Sequence, residues 1–261
     1  MQKKAWTRDR SESILLGGGT ILVFLLLWQL IVMLSGADFA TPAEVFIYIF
    51  QHIVEPIGPY SIIGHVGWSL SRVAVGYLLA AVSGIVIGLA MAQWDVTNAI
   101  ISPIFNILRP IPPIGWAPLA ILWFGVDEAA KYFIIFIGAF VPFTMNTYVG
   151  ANRVDPKLVD AALMLGTNPG QLFRKITFPA IVPQIFAGAQ VALTNAWMTV
   201  LGAEMLRSTE GAGWVILKGM EMANIAQIIS GMLVIGLTGF AIATIMRELE
   251  KKLIRWNARG R

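Results

Sequence analysis

Six long apolar stretches separated by short polar ones run through this chain. They cover about Ile14–Ser35, Ile62–Ala92, a segment from Val96 that is interrupted at Arg109–Pro118, Lys131–Ala151, Ala180–Met205 and Ile225–Arg247. About 20 apolar residues in a helix cross the hydrocarbon of a bilayer. The pattern therefore predicts an all-α, polytopic helical membrane protein of about six transmembrane helices. The first stretch is long for a signal sequence and lacks a small-x-small cleavage site, so it reads as a retained span. Between the first two stretches, Thr41-Pro42-Ala43-Glu44 is a helix-start signal for a short amphipathic helix ending near Pro56. Residues 206–224, with Gly211, Gly213 and Gly219, read as a re-entrant or surface loop.

The longest polar interruption, residues 153–179, has its own internal order. Asp155 is a good N-cap and Pro156 suits the first helical position, where its missing N–H is not needed. Gly166 suits a left-handed C-cap. Asn168-Pro169 repeats the start signal, so two short helices joined by a turn are predicted. The first places Leu158, Ala162 and Leu165 on one side; the second offers Leu172, Phe173 and Ile176, and Arg174-Lys175 follow. A helical hairpin that exposes apolar and small residues between two spans has the character of a docking surface.

Composition agrees with the span pattern. Of the 261 residues, 57% are hydrophobic and 13% charged, against about 25% charged in soluble domains, and the mean hydropathy is +0.71. Charge placement sets the orientation. Lys3, Lys4, Arg8 and Arg10, then Arg153, Lys157, Arg174 and Lys175, then Arg247, Lys251, Lys252, Arg255, Arg259 and Arg261 make fourteen of the 19 basic residues. With six spans all of these fall on one side, and residues 36–63 on the other side contain none. By the positive-inside rule both termini and the hairpin are cytoplasmic. The same placement accounts for the net charge of +4 without nucleic acid.

Within the spans, Gly76, Ala80, Gly84, Gly88 and Ala92 recur every fourth residue, as do Gly188, Ala192 and Ala196. Such stripes let helices approach closely, within one chain more often than between two. The prolines at 110, 112, 113 and 118 break a helix at or near membrane depth, where freed backbone must be buried or line a cavity. Arg109, Pro112, Pro113 and Trp116 at that break, together with Glu204, are candidate pathway residues. Arg109 has two readings, an attractor of anions or a side chain that snorkels or caps carbonyls. Glu204 has a bland reading as well, an interfacial ion pair with Arg207. His65 and Arg72 fall near the outer interface, and Asn195 suits a hydrogen bond between helices.

The sequence excludes much chemistry. With no cysteine there is no disulfide, thiol nucleophile or thiolate metal site. The two histidines, His52 and His65, have no metal-ligand spacing, and Ser69 and Ser71 near His65 lack the third partner of a nucleophile cluster. No G-x-x-x-x-G-K-[ST] phosphate loop is present. No cofactor is expected on this chain, and any work driven by ATP needs a separate hydrolysing subunit.

Asp160-Ala161-Ala162-Leu-Met-Leu-Gly166, followed after nine residues by Ile176-Thr-Phe-Pro179, resembles the E-A-A…G…I-x-L-P signature of membrane-spanning subunits of bacterial ABC importers. Asp160 stands where Glu is usual and Phe178 where Leu is usual, each of the same chemical type. His65-x-x-x-Ser69-Leu-x-Arg72 and the run from Arg109 through Trp116 to Gly125 resemble the nitrate/sulfonate/taurine group, most closely its taurine and alkanesulfonate permeases. The resemblance covers about residues 60–250. It implies a single permease domain over 1–261, with cytoplasmic tails at 1–13 and 248–261 and a coupling loop at 153–179. Asp160, Ala161, Ala162, Gly166, Phe173, Ile176 and Pro179 would face a cytoplasmic ATP-binding-cassette subunit. It further implies a second permease copy, an extracytoplasmic substrate-binding protein, a multi-pass place in the inner membrane, and a small, anionic solute. A secondary transporter or channel without an ATPase is the alternative; it predicts internal symmetry and ion-coupling charges within the spans. An integral-membrane enzyme is a third reading, and no acid–base or metal cluster supports it.

Overall fold

The computed structural model describes residues 10–35, 39–206 and 208–254. The basic residues 1–9, Arg207 and the basic tail from 255 lie outside them. Among the described residues eleven α-helices follow one another: α1 (Arg10–Ser35), α2 (Pro42–His52), α3 (Ile62–Gln93), α4 (Asp95–Leu108), α5 (Ala117–Phe124), α6 (Glu128–Ala151), α7 (Pro156–Met164), α8 (Pro169–Leu172), α9 (Phe178–Leu206), α10 (Ala212–Glu221) and α11 (Ile225–Leu253). Five stretches are long and apolar enough to cross a membrane, and α4 with α5, bent by 94°, makes the sixth. There is no strand among the described residues.

Local chemistry sets the helix ends. Thr41 and Glu44 form a reciprocal capping box, with Thr41 N–H donating to Glu44 at 2.8 Å and Glu44 N–H to Thr41 Oγ1 at 3.3 Å. The break between α4 and α5 holds a short 3-10 turn at Pro113–Trp116. Prolines there cannot donate the bonds that would continue α4.

The core is the sandwich of α3, α6 and α9. Glycine brings these helices to backbone distance. A methyl group on Gly88 would lie 2.6 Å from the Thr144 carbonyl oxygen of α6, and one on Gly188 would lie 2.6 Å from Asn146 Cβ. Ala80, Ala192 and Ala196 are fully buried beside them. Both small-residue stripes therefore serve packing within the chain, because lipid supplies no hydrophobic drive between helices and close van der Waals contact replaces it. Helix α1 stands apart: none of its residues from Leu15 to Leu34 is buried, as suits a helix bathed in lipid.

Two expectations are corrected. Residues 212–221 form helix α10, whose Ala212, Gly213, Val215 and Gly219 are buried; Gly213 and Gly219 belong to a packed helix rather than a loop, and Gly211 stands at its N-cap. The second half of the cytoplasmic hairpin is also not a separate helix. It runs from α8 through a π turn at Phe173–Thr177 directly into α9. Phe178 N–H bonds Phe173 O, five residues back. This wider turn comes just before Pro179, which has no N–H to give to the next carbonyl.

Candidate functional site

The cytoplasmic hairpin is built by its caps. Asp155 accepts from Lys157 N–H at 2.9 Å, and Asn168 and Gln171 form a second capping box. Gly166 ends α7 with φ +78° and has nothing within 4 Å of where a Cβ would stand. Thr167 folds back, its N–H and hydroxyl both donating to the Ala162 carbonyl. Of the signature residues, Ala162 is buried while Asp160, Ala161, Gly166 and Phe173 are exposed, with Ile176 and Pro179 intermediate. The tip is the unexpected part. Met164 and Leu165 are 86% and 87% exposed, side by side at the turn. Asp160 makes no ion pair or hydrogen bond among the described residues, and Arg153, Lys157, Arg174 and Lys175 around it are exposed. An apolar knob with a free carboxylate and a basic rim is a surface waiting for a partner.

A second constellation lies at the opposite, outer end. His65, Ser69, Arg72 and Gly76 recur on one face of α3 at helical spacing, and all four are buried. Arg72 uses all five of its donors. Its Nε and Nη2 grip Glu128 of α6 at 2.7 Å each, Nη1 reaches Glu204 of α9 and the Glu210 carbonyl at 2.9 Å each, and Nη2 also donates to the Glu210 carboxylate. Glu204, also fully buried, accepts further from Ser69 Oγ at 2.8 Å and from Gly213 N–H at 2.9 Å. Ser69 Oγ in turn accepts from Ala212 N–H, so the free amides at the start of α10 are capped by side chains of other helices. His65 Nε2 faces the Ile57 carbonyl at 2.8 Å, and Nδ1 receives Gly211 N–H at 3.1 Å. Those partners assign the neutral tautomer protonated on Nε2. Lys131 pairs with Glu128 at 2.7 Å. One node thus ties α3, α6, α9 and α10 together.

Reading by position put Arg72 and His65 near the outer interface; at that end of the bundle both are buried at the centre of this node. The signal available was the 65–69–72–76 spacing running into the small-residue stripe. Glu204 pairs with Arg72, while Arg207, its expected partner, lies outside the described residues. Nearby, α2 is tied to α11 by the Tyr48 hydroxyl donating to Gln227 at 2.9 Å, and burial pushes that phenol above its ordinary pKa.

At the α4–α5 break, Arg109, Pro113 and Trp116 line one cavity of about 360 Å³ with Phe105, Gly138 and Asn195. Pro112, the N-cap of the 3-10 turn, is not among the residues that line it. Glu204 does not line this cavity. Among the described residues no cluster of histidine and carboxylate side chains could hold a metal ion.

Helices long and apolar enough to cross a membrane, with a capped helical hairpin between them, define a multi-pass membrane subunit. The chain belongs to the family described as "Binding-protein-dependent transport system inner membrane component", whose profile matches residues 84–255. Among its relatives is a putative aliphatic sulfonates transport permease protein of Bacillus subtilis, SsuC, 32% identical over 90% of this chain and 84% of that protein. The nitrate import permease protein NrtB of Synechocystis is also 32% identical, over 90% of this chain and 87% of its own length. In fold, the chain is similar to the inward-facing MetNI methionine ABC transporter, with TM-score 0.61, 18% identity, and coverage of 74% of this chain and 94% of that one. It is a multi-pass inner-membrane permease of the nitrate/sulfonate/taurine group.

Proposed function

We propose that this permease imports a small anionic solute at the expense of ATP hydrolysed by a separate cytoplasmic subunit. The observation that supports this reading most directly is the hairpin tip, where Met164 and Leu165 stand almost fully exposed on the side of the membrane that holds the basic residues. Asp160, Ala161, Ala162, Gly166, Phe173, Ile176 and Pro179 form the surface that the ATP-binding-cassette subunit grips. Continuity of α8, the π turn and α9 supports a rigid lever from that contact into the membrane. Movement of the ATPase swings α9, and α9 carries Glu204 and the outer node with it. One chain supplies one hairpin, so two copies serve a pair of ATPases. The outer segments, 39–63 and 208–224, receive a solute-loaded binding protein. The sulfonate and nitrate named for two relatives support a small oxyanion as cargo.

The test is affinity purification of the permease with its ATPase, together with uptake. Gly166→Pro is incompatible with φ +78° at that position, and Asp160→Lys reverses the free charge. Both are expected to insert normally, lose the ATPase and abolish uptake, while Asp160→Glu stays nearly silent. Wild-type capture and uptake in both disruptive variants would overturn the assignment.

A further inference from the structure

Two arginines interrupt apolar sequence, and they are treated in opposite ways: Arg72 is fully buried and Arg109 is exposed. Arg72 has every donor occupied by carboxylate or carbonyl oxygen. The side chain of Arg109 has no hydrogen bond or ion pair among the described residues, and no Asp or Glu lines its cavity. The cavity is not at the headgroups. Gly138 in its wall lies ten residues into α6, about 15 Å below the outer end at 1.5 Å per residue, in a hydrocarbon layer about 30 Å thick. Arg109 lines the cavity while remaining exposed on this chain, and a guanidinium at membrane depth takes a counter-charge where one can reach it. Trp116, on the same wall, has its indole N–H buried with no acceptor, a state that native proteins rarely leave unexplained. Asn195 adds an amide, one N–H of which reaches the Gly138 carbonyl at only 3.4 Å. The remaining wall is apolar, including Phe105 and Phe140. Free donors, a free cation, no carboxylate and an apolar lining at mid-depth form the complement of a small oxyanion with a short apolar tail.

We propose that this cavity is a transit site for a singly charged oxyanion. Arg109 supplies the counter-charge, the Trp116 indole N–H and the Asn195 amide donate to its oxygens, and the apolar wall receives its tail. The site rests on the importer reading and gives that reading its cargo class. The kinked α4–α5 segment exists, on this view, to hold Arg109 and Trp116 at the same cavity. A continuous helix would place residues seven apart on one face but about 10 Å apart along its axis.

The full-length permease in phosphatidylcholine nanodiscs is titrated with sodium nitrate and with sodium ethanesulfonate, sodium chloride keeping the ionic strength constant. Nitrate quenches indole fluorescence on contact, so tryptophan emission reports its arrival. A saturable quenching component is expected in the wild type, displaced by ethanesulfonate and absent in Trp116→Phe. Its midpoint rises at least about tenfold in Arg109→Gln, the loss expected of a charge-assisted hydrogen bond, and stays within a few-fold of wild type in Arg109→Lys. Linear quenching of equal slope in wild type and Arg109→Gln, or a saturable component that survives Trp116→Phe, overturns the site. ATPase capture by the same wild-type nanodiscs scores the importer reading separately. Capture without saturable quenching removes the anion site alone; saturable quenching without capture removes the importer reading and leaves the anion site standing.

Discussion

Arg72 of α3 and Glu204 of α9 are 132 positions apart in the chain and meet at 2.9 Å with both side chains fully buried. A buried ion pair contributes little by comparison with apolar packing, but removing one partner leaves the other charge stranded. Here Arg72 also holds Glu128 and Glu210, so three carboxylates depend on one guanidinium. The node is therefore best understood as a device that specifies which helix ends meet at the outer face.

Arg72→Met is expected to destabilise the permease by about 3–5 kcal/mol, seen as a large drop in the apparent melting temperature of the detergent-solubilised protein. Arg72→Lys rescues little, because three donors on one point replace a five-donor fork that grips Glu128 in two places. Unchanged melting in Arg72→Met would show that the node is not structural.

Gly211 has φ +116°, and a Cβ there would lie 2.3 Å from the Glu204 carboxyl carbon. Gly211→Ala combines a backbone conformation that costs a side-chain-bearing residue about 1–3 kcal/mol with a collision at the node. The expected result is a lower melting temperature and increased proteolysis between α9 and α10. A variant as protease-resistant as wild type would contradict this.

Helix packing gives a matched pair. Gly88→Val pushes a branched side chain against the Thr144 carbonyl oxygen, which lies 2.6 Å from where its Cβ would stand, and overpacking of this kind costs about 1–3 kcal/mol. Gly18→Val in α1, with nothing within 4 Å, is expected to leave melting unchanged. Equal melting temperatures for the two variants would refute close α3–α6 contact as the source of core stability.

At the hairpin, Leu165→Asp changes a side chain that is 87% exposed. Folding is expected to be unaffected, while ATPase copurification falls at least about tenfold, since a charge is introduced at the centre of an apolar contact. Retained copurification would move the contact away from the tip.

How much could be read beforehand depended on the range of the interactions. Asp155, Gly166 and Asn168 act on backbone groups within a few residues, so the hairpin and its caps were legible. The stripe from Gly76 to Gly88 and the proline break were legible as well, since periodicity and missing N–H groups are local properties. The course of residues 173–179 was misjudged because a π turn carries the chain past Pro179, which otherwise reads as a boundary. Residues 206–224 look like a loop by their glycines, and only contact with α9 and α11 explains why α10 needs them small.

The sequence by itself determined the apolar spans and the capped hairpin between the fourth and the fifth, because apolar length and capping chemistry are written along the chain. Only the tertiary structure decided that Arg72 is a hub and that the Arg109 side chain has no hydrogen-bond or ion-pair partner among the described residues. Both are single basic residues in apolar sequence, and what separates them is whether carboxylates 56 to 138 positions away arrive within hydrogen-bonding distance.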